Sequence, residues 1–116
     1  MRVYGIPNCG SVKKARILLE SSGVAYEFVD FKKTPPSKEQ ILHWIKKTSL
    51  EALFNTKGTT YKKLGLKEKN LTDEQKIQTM LTHPTLIKRP IIEFDDAKSQ
   101  KKVIVGYDEA LIKALI

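Results

Sequence analysis

A strand, a helix and a second strand are predicted by the segment RVYGIPNCGSVKKARILLESSGVAYEFV, which is residues 2–29. Residues 2–5 are predicted to form the first strand because Val3 and Tyr4 have high strand preference, and a turn-rich stretch follows them. Apolar residues then recur at helical spacing, so we expect a helix that begins around Ser11 and ends before Gly23, a residue suited to a left-handed C-terminal cap. Residues 25–29 are predicted to form the second strand. Because such a unit packs most readily as a right-handed crossover, we expect its two strands to be parallel.

The stretch from about residue 37 to about residue 83 is predicted to be a helical insert. Ser37 with Gln40, and Thr72 with Gln75, have the spacing of capping boxes, so each pair is expected to start a helix. The apolar face of the first helix is expected to contain Ile41, Leu42 and Ile45, with Trp44 near its edge.

Two strands and a last helix are predicted to complete the chain. The strands cover residues 91–94 and 102–105, and the loop between them is too long for a tight hairpin turn. The last helix is expected to be lined by Leu111, Ile112, Leu115 and Ile116. The order β-α-β, helical insert, β-β-α predicts an α/β fold with a mixed four-stranded sheet covered by helices, in one domain of residues 1–116.

The charge balance favours anionic partners. Lys and Arg number 21 against 13 Asp and Glu, which gives a net charge of +8. A phosphate, an oxyanion or an acidic tripeptide such as glutathione would suit that charge. The basic residues are scattered, however, as pairs such as Lys46-Lys47, without a long basic run or a nucleic-acid motif. We therefore expect no direct nucleic-acid partner, and solvated surface lysines are the alternative interpretation of the excess.

A single cysteine, Cys9, limits the kinds of site that the chain can form. It excludes an intramolecular disulfide and a cysteine-based zinc site. His43 and His83 lie far apart in the sequence without a cysteine near either, so we expect no metal site. The sequence starts with a strand rather than an apolar leader, and no apolar stretch approaches the roughly 20 residues that cross a bilayer. We expect a protein of the reducing cytoplasm that does not enter a membrane.

Cys9 lies between the end of a predicted strand and the start of a predicted helix. A helix N-terminus offers unpaired amide hydrogens and a partial positive charge, and both stabilise a thiolate, the nucleophilic form of cysteine. The amides of Gly10 and Ser11, the Ser11 hydroxyl and the Lys13 ammonium are candidates to act on the sulfur or on a bound anion. The alternative interpretation is that Cys9 is a small buried residue.

Arg89-Pro90 precedes the third predicted strand. A proline at the start of a strand is also a place where a cis peptide exposes backbone groups to a ligand. Arg89 would then bind a carboxylate or an oxyanion through two parallel hydrogen bonds. The alternative is a surface arginine before an ordinary trans proline.

Several motifs resemble those of the arsenate reductase ArsC/Spx family, and most closely its YffB-like branch. They follow one another along nearly the whole chain: Tyr4 to Cys9, Lys13 to Arg16, Tyr26 to Lys32, Pro35 to Ser37, Leu53 to Asn55, Tyr61 to Leu66, Pro84 to Ile91 and Val105 to Tyr107. The resemblance implies a thioredoxin-like fold with a helical insert. It also implies that Cys9 is the cysteine that attacks the substrate and that Arg89 precedes the cis-proline of the fold, Pro90.

The chain departs from the family pattern at positions that matter for its chemistry. ArsC enzymes attack arsenate with the cysteine, and glutathione and glutaredoxin resolve the adduct. Asn55 and Gly106 stand where those enzymes have arginines, and Gly5 stands where they have a histidine. The missing guanidinium groups remove charge-assisted hydrogen bonds of about 1.5–3 kcal/mol each, which argues against arsenate reduction. Val12 stands where Spx regulators carry a second cysteine, so an internal disulfide switch is excluded.

Three functions follow from the resemblance. The first is a glutathione-dependent thiol reductase, a monomer with Cys9 as nucleophile, glutathione as co-substrate, glutaredoxin as a candidate partner and no tightly bound cofactor. The second is an Spx-like adaptor that binds RNA polymerase or another protein, and the third is residual arsenate reduction. Binding of the substrate or its anionic group is expected from Asn8, Gly10, Ser11, Lys13, Arg89 and Pro90.

Overall fold

The computed structural model describes all 116 residues, which form two compact units. The first unit consists of Met1–Thr34 and Arg89–Ile116, and the second consists of Pro35–Lys88. The first contains the strands β1 (Arg2–Gly5), β2 (Glu27–Asp30), β3 (Ile91–Asp95) and β4 (Lys101–Val105), with the helices α1 (Gly10–Ser21) and α6 (Glu109–Lys113). The second contains α2 (Lys38–Lys47), α3 (Leu50–Leu53), α4 (Thr59–Lys63), α5 (Asp73–Thr82) and the 3-10 turns Leu66–Glu68 and Pro84–Leu86. None of the helices has the length and apolar character needed to cross a membrane.

The sheet has the strand order β2-β1-β3-β4. Strand β1 pairs in parallel with β2 and antiparallel with β3, and β3 pairs antiparallel with β4, so the predicted mixed four-stranded sheet is confirmed. Strand β2 begins at Glu27 rather than at Ala25, because Arg2 is the first residue of β1 and lies opposite Glu27 in the register. Ala25 and Tyr26 therefore have no residues of β1 opposite them with which to pair as a strand.

The core of the first unit, the sheet unit, lies on the sheet face that α1 covers. Val3, Ile92 and Ile104 from the strands meet Ala15 and Leu19 of α1 and Ile112 of α6 in one buried cluster. The expectation for the last helix was too broad. Only Ile112 is buried on α6, and Leu115 packs partly against the cluster, while Leu111 and Ile116 are each 52% exposed. A helix of five residues makes little more than one turn, so it presents only a narrow face to the core.

The N-cap of α1 lies two residues earlier than the cap that the sequence predicts around Ser11. Cys9 occupies the N-cap position with extended backbone angles, and Ser11 lies inside the first turn. The C-terminal prediction is confirmed, since Gly23 has a φ of +72° and its N–H donates to the carbonyl of Glu20. The early start is what places the cysteine at the helix end.

Both predicted capping boxes are present in the second unit, Pro35–Lys88, which we call the helical unit. Ser37 and Gln40 exchange side-chain and backbone hydrogen bonds at the start of α2, and Thr72 and Gln75 do the same at α5. The predicted apolar face of α2 is wrong in part. Trp44 is completely buried beside Ile41, which lies three positions before it, whereas Leu42 is 43% exposed.

Candidate active site

Cys9 is held at the junction of β1 and α1. Strand β1 ends at Gly5, and the turn that follows is closed by a hydrogen bond from the Cys9 N–H to the Ile6 carbonyl, at 3.2 Å. The Cys9 carbonyl accepts the N–H of Lys13 at 2.9 Å, the first hydrogen bond of the helix. The backbone on both sides of the cysteine is therefore fixed. Its half-buried side chain is a free thiol.

Several groups around the sulfur favour its ionised form. Partial burial by itself raises the pKa of Cys9, but the amide of Val12, the hydrogen bond and charge of Arg89 and the amide of Ser11 outweigh it and lower the pKa of the thiol below its ordinary value. The two amides belong to the second and third residues after the N-cap, the positions whose N–H groups point at an N-cap side chain. Cys9 therefore has the surroundings of a reactive thiolate.

The sequence prediction of the acting amides was close but shifted by one residue. Ser11 and Val12 act on Cys9, in place of Gly10 and Ser11. With Cys9 as the N-cap, capping geometry directs the N–H of Val12, three residues later, toward the Cys9 side chain. The N-cap position of Cys9 is therefore the signal that would have identified Val12. Gly10 is exposed, and no atom lies within 4 Å of the place where a Cβ would be, so space beside it is open.

Two other predicted site residues lie near Cys9 in the chain but on the surface. Asn8 is exposed in the turn that precedes Cys9. Lys13 is exposed on the first turn of α1, and the groups that chiefly lower the pKa of Cys9 are the two amides and Arg89. Their exposure leaves both side chains accessible to a molecule in solution.

The Arg89-Pro90 peptide bond is cis. Pro90 is buried, and its carbonyl accepts the N–H of Gly106 at 2.8 Å, which ties the start of β3 to the end of β4. Arg89, which is half-buried, reaches the sulfur of Cys9 from this position. The structure thus brings together two residues that lie eighty positions apart in the sequence.

Two departures from the family pattern, Gly5 and Val12, are in contact with each other. Val12 is completely buried, and a Cβ on Gly5 would lie 2.6 Å from its Cγ2 atom. Because side chains do not approach so closely, the valine occupies space that only a glycine leaves free. The first turn of α1, which supplies the amides around Cys9, is therefore seated directly on the end of β1.

The other two departures also have structural roles. The Asn55 carboxamide accepts the N–H of Lys57 at 3.2 Å and lies over Gly58, where a Cβ would be 2.7 Å from its nitrogen. It shapes its own loop as an Asx turn. Gly106 is buried with a φ of +84°, a backbone conformation that favours glycine. Neither residue offers the charge of the arginine that the family pattern has at that position.

The two histidines are half-buried in the helical unit, His43 on α2 and His83 at the C-terminal end of α5. The His83 N–H donates to Thr79, and its carbonyl accepts the N–H of Leu86, so its backbone joins α5 to the following 3-10 turn. No three His, Cys, Asp or Glu side chains converge on a point where a metal ion would be held.

Comparison with known proteins places these features in one family. The profile of the ArsC family matches residues 4–115. The Escherichia coli protein named arsenate reductase is 36% identical over 92 residues, 78% of this chain and 65% of that protein. YusI of Bacillus subtilis (strain 168) is 33% identical over 110 residues, 91% of this chain and 89% of that protein. The solved structure of YffB (PA3664) has a TM-score of 0.86 at 32% identity, over 97% of this chain and 96% of that one.

These matches differ in how much of each relative they cover. The chain spans just under two thirds of the length of the E. coli reductase, but most of YusI and nearly all of YffB. The likeness to YffB extends over both units and confirms the thioredoxin-like architecture expected from the sequence.

Proposed function

This chain belongs to the ArsC family, and from that premise we propose that it is a thiol-dependent reductase of the YffB type, with Cys9 as nucleophile and glutathione as thiol co-substrate. The observation that carries the proposal is the environment of Cys9. Its pKa is lowered by the amides of Val12 and Ser11 and by Arg89, although its partial burial acts in the opposite direction. A cysteine that only fills space in the core does not require groups that stabilise its thiolate.

The substrate that suits this site is a disulfide that carries an anionic group. The amides at the N-terminus of α1 and the Arg89 guanidinium favour negative charge, and glutathione carries two carboxylates for a guanidinium to bind. Open space beside Gly10 leaves room for the approach of the substrate.

In the first step, the Cys9 thiolate attacks the glutathione sulfur of a mixed disulfide R–S–S–G. The old S–S bond breaks, and R leaves as a thiolate that takes a proton from water. A new S–S bond joins Cys9 to glutathione. This step releases one free thiol, R–SH, and leaves glutathione on Cys9 as a mixed disulfide.

In the second step, an external thiol must restore the cysteine, because Cys9 is the only cysteine in the chain. The thiolate of a second glutathione attacks the glutathione sulfur of the mixed disulfide. Cys9 leaves as a thiolate, and the product is glutathione disulfide. The net reaction converts R–S–S–G and one glutathione into R–SH and glutathione disulfide. Arg89 and the Val12 amide assist here too, because they stabilise Cys9 as a leaving group.

The test is the rate of glutathione-dependent reduction of a small mixed disulfide by the wild type and by Cys9→Ser. Formation of glutathione disulfide is followed through glutathione reductase and the absorbance of NADPH. We expect the wild type to exceed the uncatalysed rate and Cys9→Ser to fall to it. Equal rates for the two proteins would overturn the catalytic role of Cys9, and a stoichiometric protein partner retained by Cys9→Ser would then favour the adaptor function.

Arsenate reduction is a weaker candidate for this chain. Asn55 is engaged in its own loop and Gly106 is buried, so an oxyanion near Cys9 would have Arg89 but neither of the arginines of the family pattern. We expect arsenate turnover with glutathione and glutaredoxin to stay close to background. Turnover comparable to that of an authentic arsenate reductase would contradict this assignment.

A further inference from the structure

The helical unit contains a groove that takes no part in the proposed reaction. It consists of two adjoining lobes with volumes of about 570 and 270 Å³, and both lobes are lined by Thr56, Tyr61 and Lys67. We call it the lysine groove. All its residues belong to the second unit, whereas Cys9 and Arg89 belong to the first. The lobe volumes lie within or near the range in which proteins hold small molecules.

The groove is strongly basic. Lys62 lines the larger lobe, Lys69 and Lys76 line the smaller, and Lys67 lines both, while the only acidic residue of the lining is Glu68. The one ion pair of the unit, Lys38 with Glu74, involves none of these four lysines. Four lysines against one glutamate leave a net positive charge over a concave surface. This net charge distinguishes the groove from the scattered lysine pairs of the rest of the chain.

Two aromatic side chains contribute to the lining: Tyr61 lines both lobes, and Phe54 lines the smaller one. The Tyr61 ring meets Phe54 edge to face, with ring centroids 6.0 Å apart and an interplanar angle of 86°. Phe54 is buried, so this contact holds the tyrosine ring in place. The Nζ atom of Lys76 lies 5.7 Å from the Phe54 centroid, which also restricts where that ammonium group can lie. The groove therefore combines a fixed aromatic surface with a set of cations beside it.

From these features we propose that the lysine groove binds a nucleotide. The phosphate groups lie in the smaller lobe between Lys67, Lys69 and Lys76, and the planar base lies against Tyr61 in the larger lobe. Lysine is a point-charge partner suited to phosphate, and aromatic side chains stack on bases of any sequence. The two-lobed shape favours a small molecule with an anionic end and a planar end over a long acidic protein segment, which would need an extended channel.

Titration of the ¹⁵N-labelled wild-type chain with ADP, followed by amide NMR shifts at about 0.15 M salt, tests the proposal. We expect saturable shifts confined to residues 54–76. Lys67→Gln/Lys69→Gln should weaken ADP binding at least tenfold. The matched control is Lys46→Gln/Lys47→Gln, which removes the same charge from α2, outside the groove, and should change the affinity less than threefold. The readout does not involve thiol chemistry, so it is independent of the proposed reductase.

Parallel titrations distinguish the other occupants. Pyrophosphate should bind at least tenfold more weakly than ADP, because it has no base to contact Tyr61. Equal affinities for ADP and pyrophosphate, or equal losses in the two double variants, would show only charge attraction and would overturn the proposal. Tighter binding of a dT oligonucleotide or of a poly-glutamate peptide than of ADP would also overturn it, and so would the absence of shifts at millimolar ADP.

Discussion

Replacement of Gly5 by alanine tests the close packing that supports the candidate site. The backbone at Gly5 does not have a positive φ, so alanine is allowed there on backbone grounds. The added Cβ would nevertheless lie 2.6 Å from Cγ2 of Val12 and 3.4 Å from Cγ1. Val12 is fully buried and β-branched, so its side chain cannot rotate away without a new clash. The first turn of α1 must therefore move away from β1.

The size of the effect follows from two opposing contributions. Extra volume in a close-packed core costs about 1–3 kcal/mol. Alanine in place of glycine in a strand restores about 0.5–1 kcal/mol through the lower entropy of the unfolded chain. We expect a net loss of about 0–2.5 kcal/mol in the free energy of unfolding, centred near 1 kcal/mol. Since Val12 also supplies an amide to Cys9, we expect the pKa of the thiol to rise at the same time.

The assay is urea unfolding of four proteins: wild type, Gly5→Ala, Val12→Ala and the double variant. If the clash is the cause, Gly5→Ala costs at least about 1 kcal/mol less in the Val12→Ala background than in the wild type, because the obstructing methyl groups are gone. Strict additivity of the two single changes would refute the packing argument.

Two further perturbations test other parts of the structure. The Tyr4 hydroxyl donates to Glu93 at 2.5 Å, and burial together with that carboxylate raises the pKa of Tyr4 to about 12, so the folded state keeps a proton that the unfolded state loses near pH 10. The stability that this group contributes is complete below pH 10 and is lost between pH 10 and 12. In urea unfolding, Tyr4→Phe should therefore lose about 2–3 kcal/mol less stability over that pH range than the wild type does. Identical pH profiles for the two proteins would contradict this. Asn55→Ala removes the acceptor of the Lys57 N–H and should cost about 0.5–1.5 kcal/mol, measured as a lower thermal midpoint, whereas an unchanged midpoint would show that the loop holds its shape without the side chain.

Features that depend on neighbouring residues were the ones that the sequence could predict. The capping boxes at Ser37 and Thr72 need only a residue three positions away, and Gly23 needs only the end of its own helix. The alternation of strands and helices follows from local periodicity in the same way. These interactions form within one turn of chain, so no knowledge of the folded core is needed to recognise them.

Features that depend on tertiary packing were not predictable in this way. The start of α1 was placed at Ser11 because serine is a common N-cap, yet the pairing of β1 and the turn after it select Cys9. Burial of Trp44 in place of Leu42 is decided by what α2 packs against, which its own periodicity does not contain. The approach of Arg89 to Cys9 spans eighty residues, and only the family resemblance indicated it. The lysines of the groove are likewise spread over four elements or loops.

Whether Cys9 is a reactive thiolate is decided by the pH dependence of its alkylation by iodoacetamide, with and without glutathione. We expect a midpoint below that of an unperturbed cysteine thiol measured in parallel, and protection by glutathione. Arg89→Gln should move the midpoint to higher pH, because it removes a charge and a hydrogen bond that favour the thiolate. A midpoint at or above the ordinary value in the wild type, unchanged in Arg89→Gln and insensitive to glutathione, would contradict a reactive thiolate at Cys9.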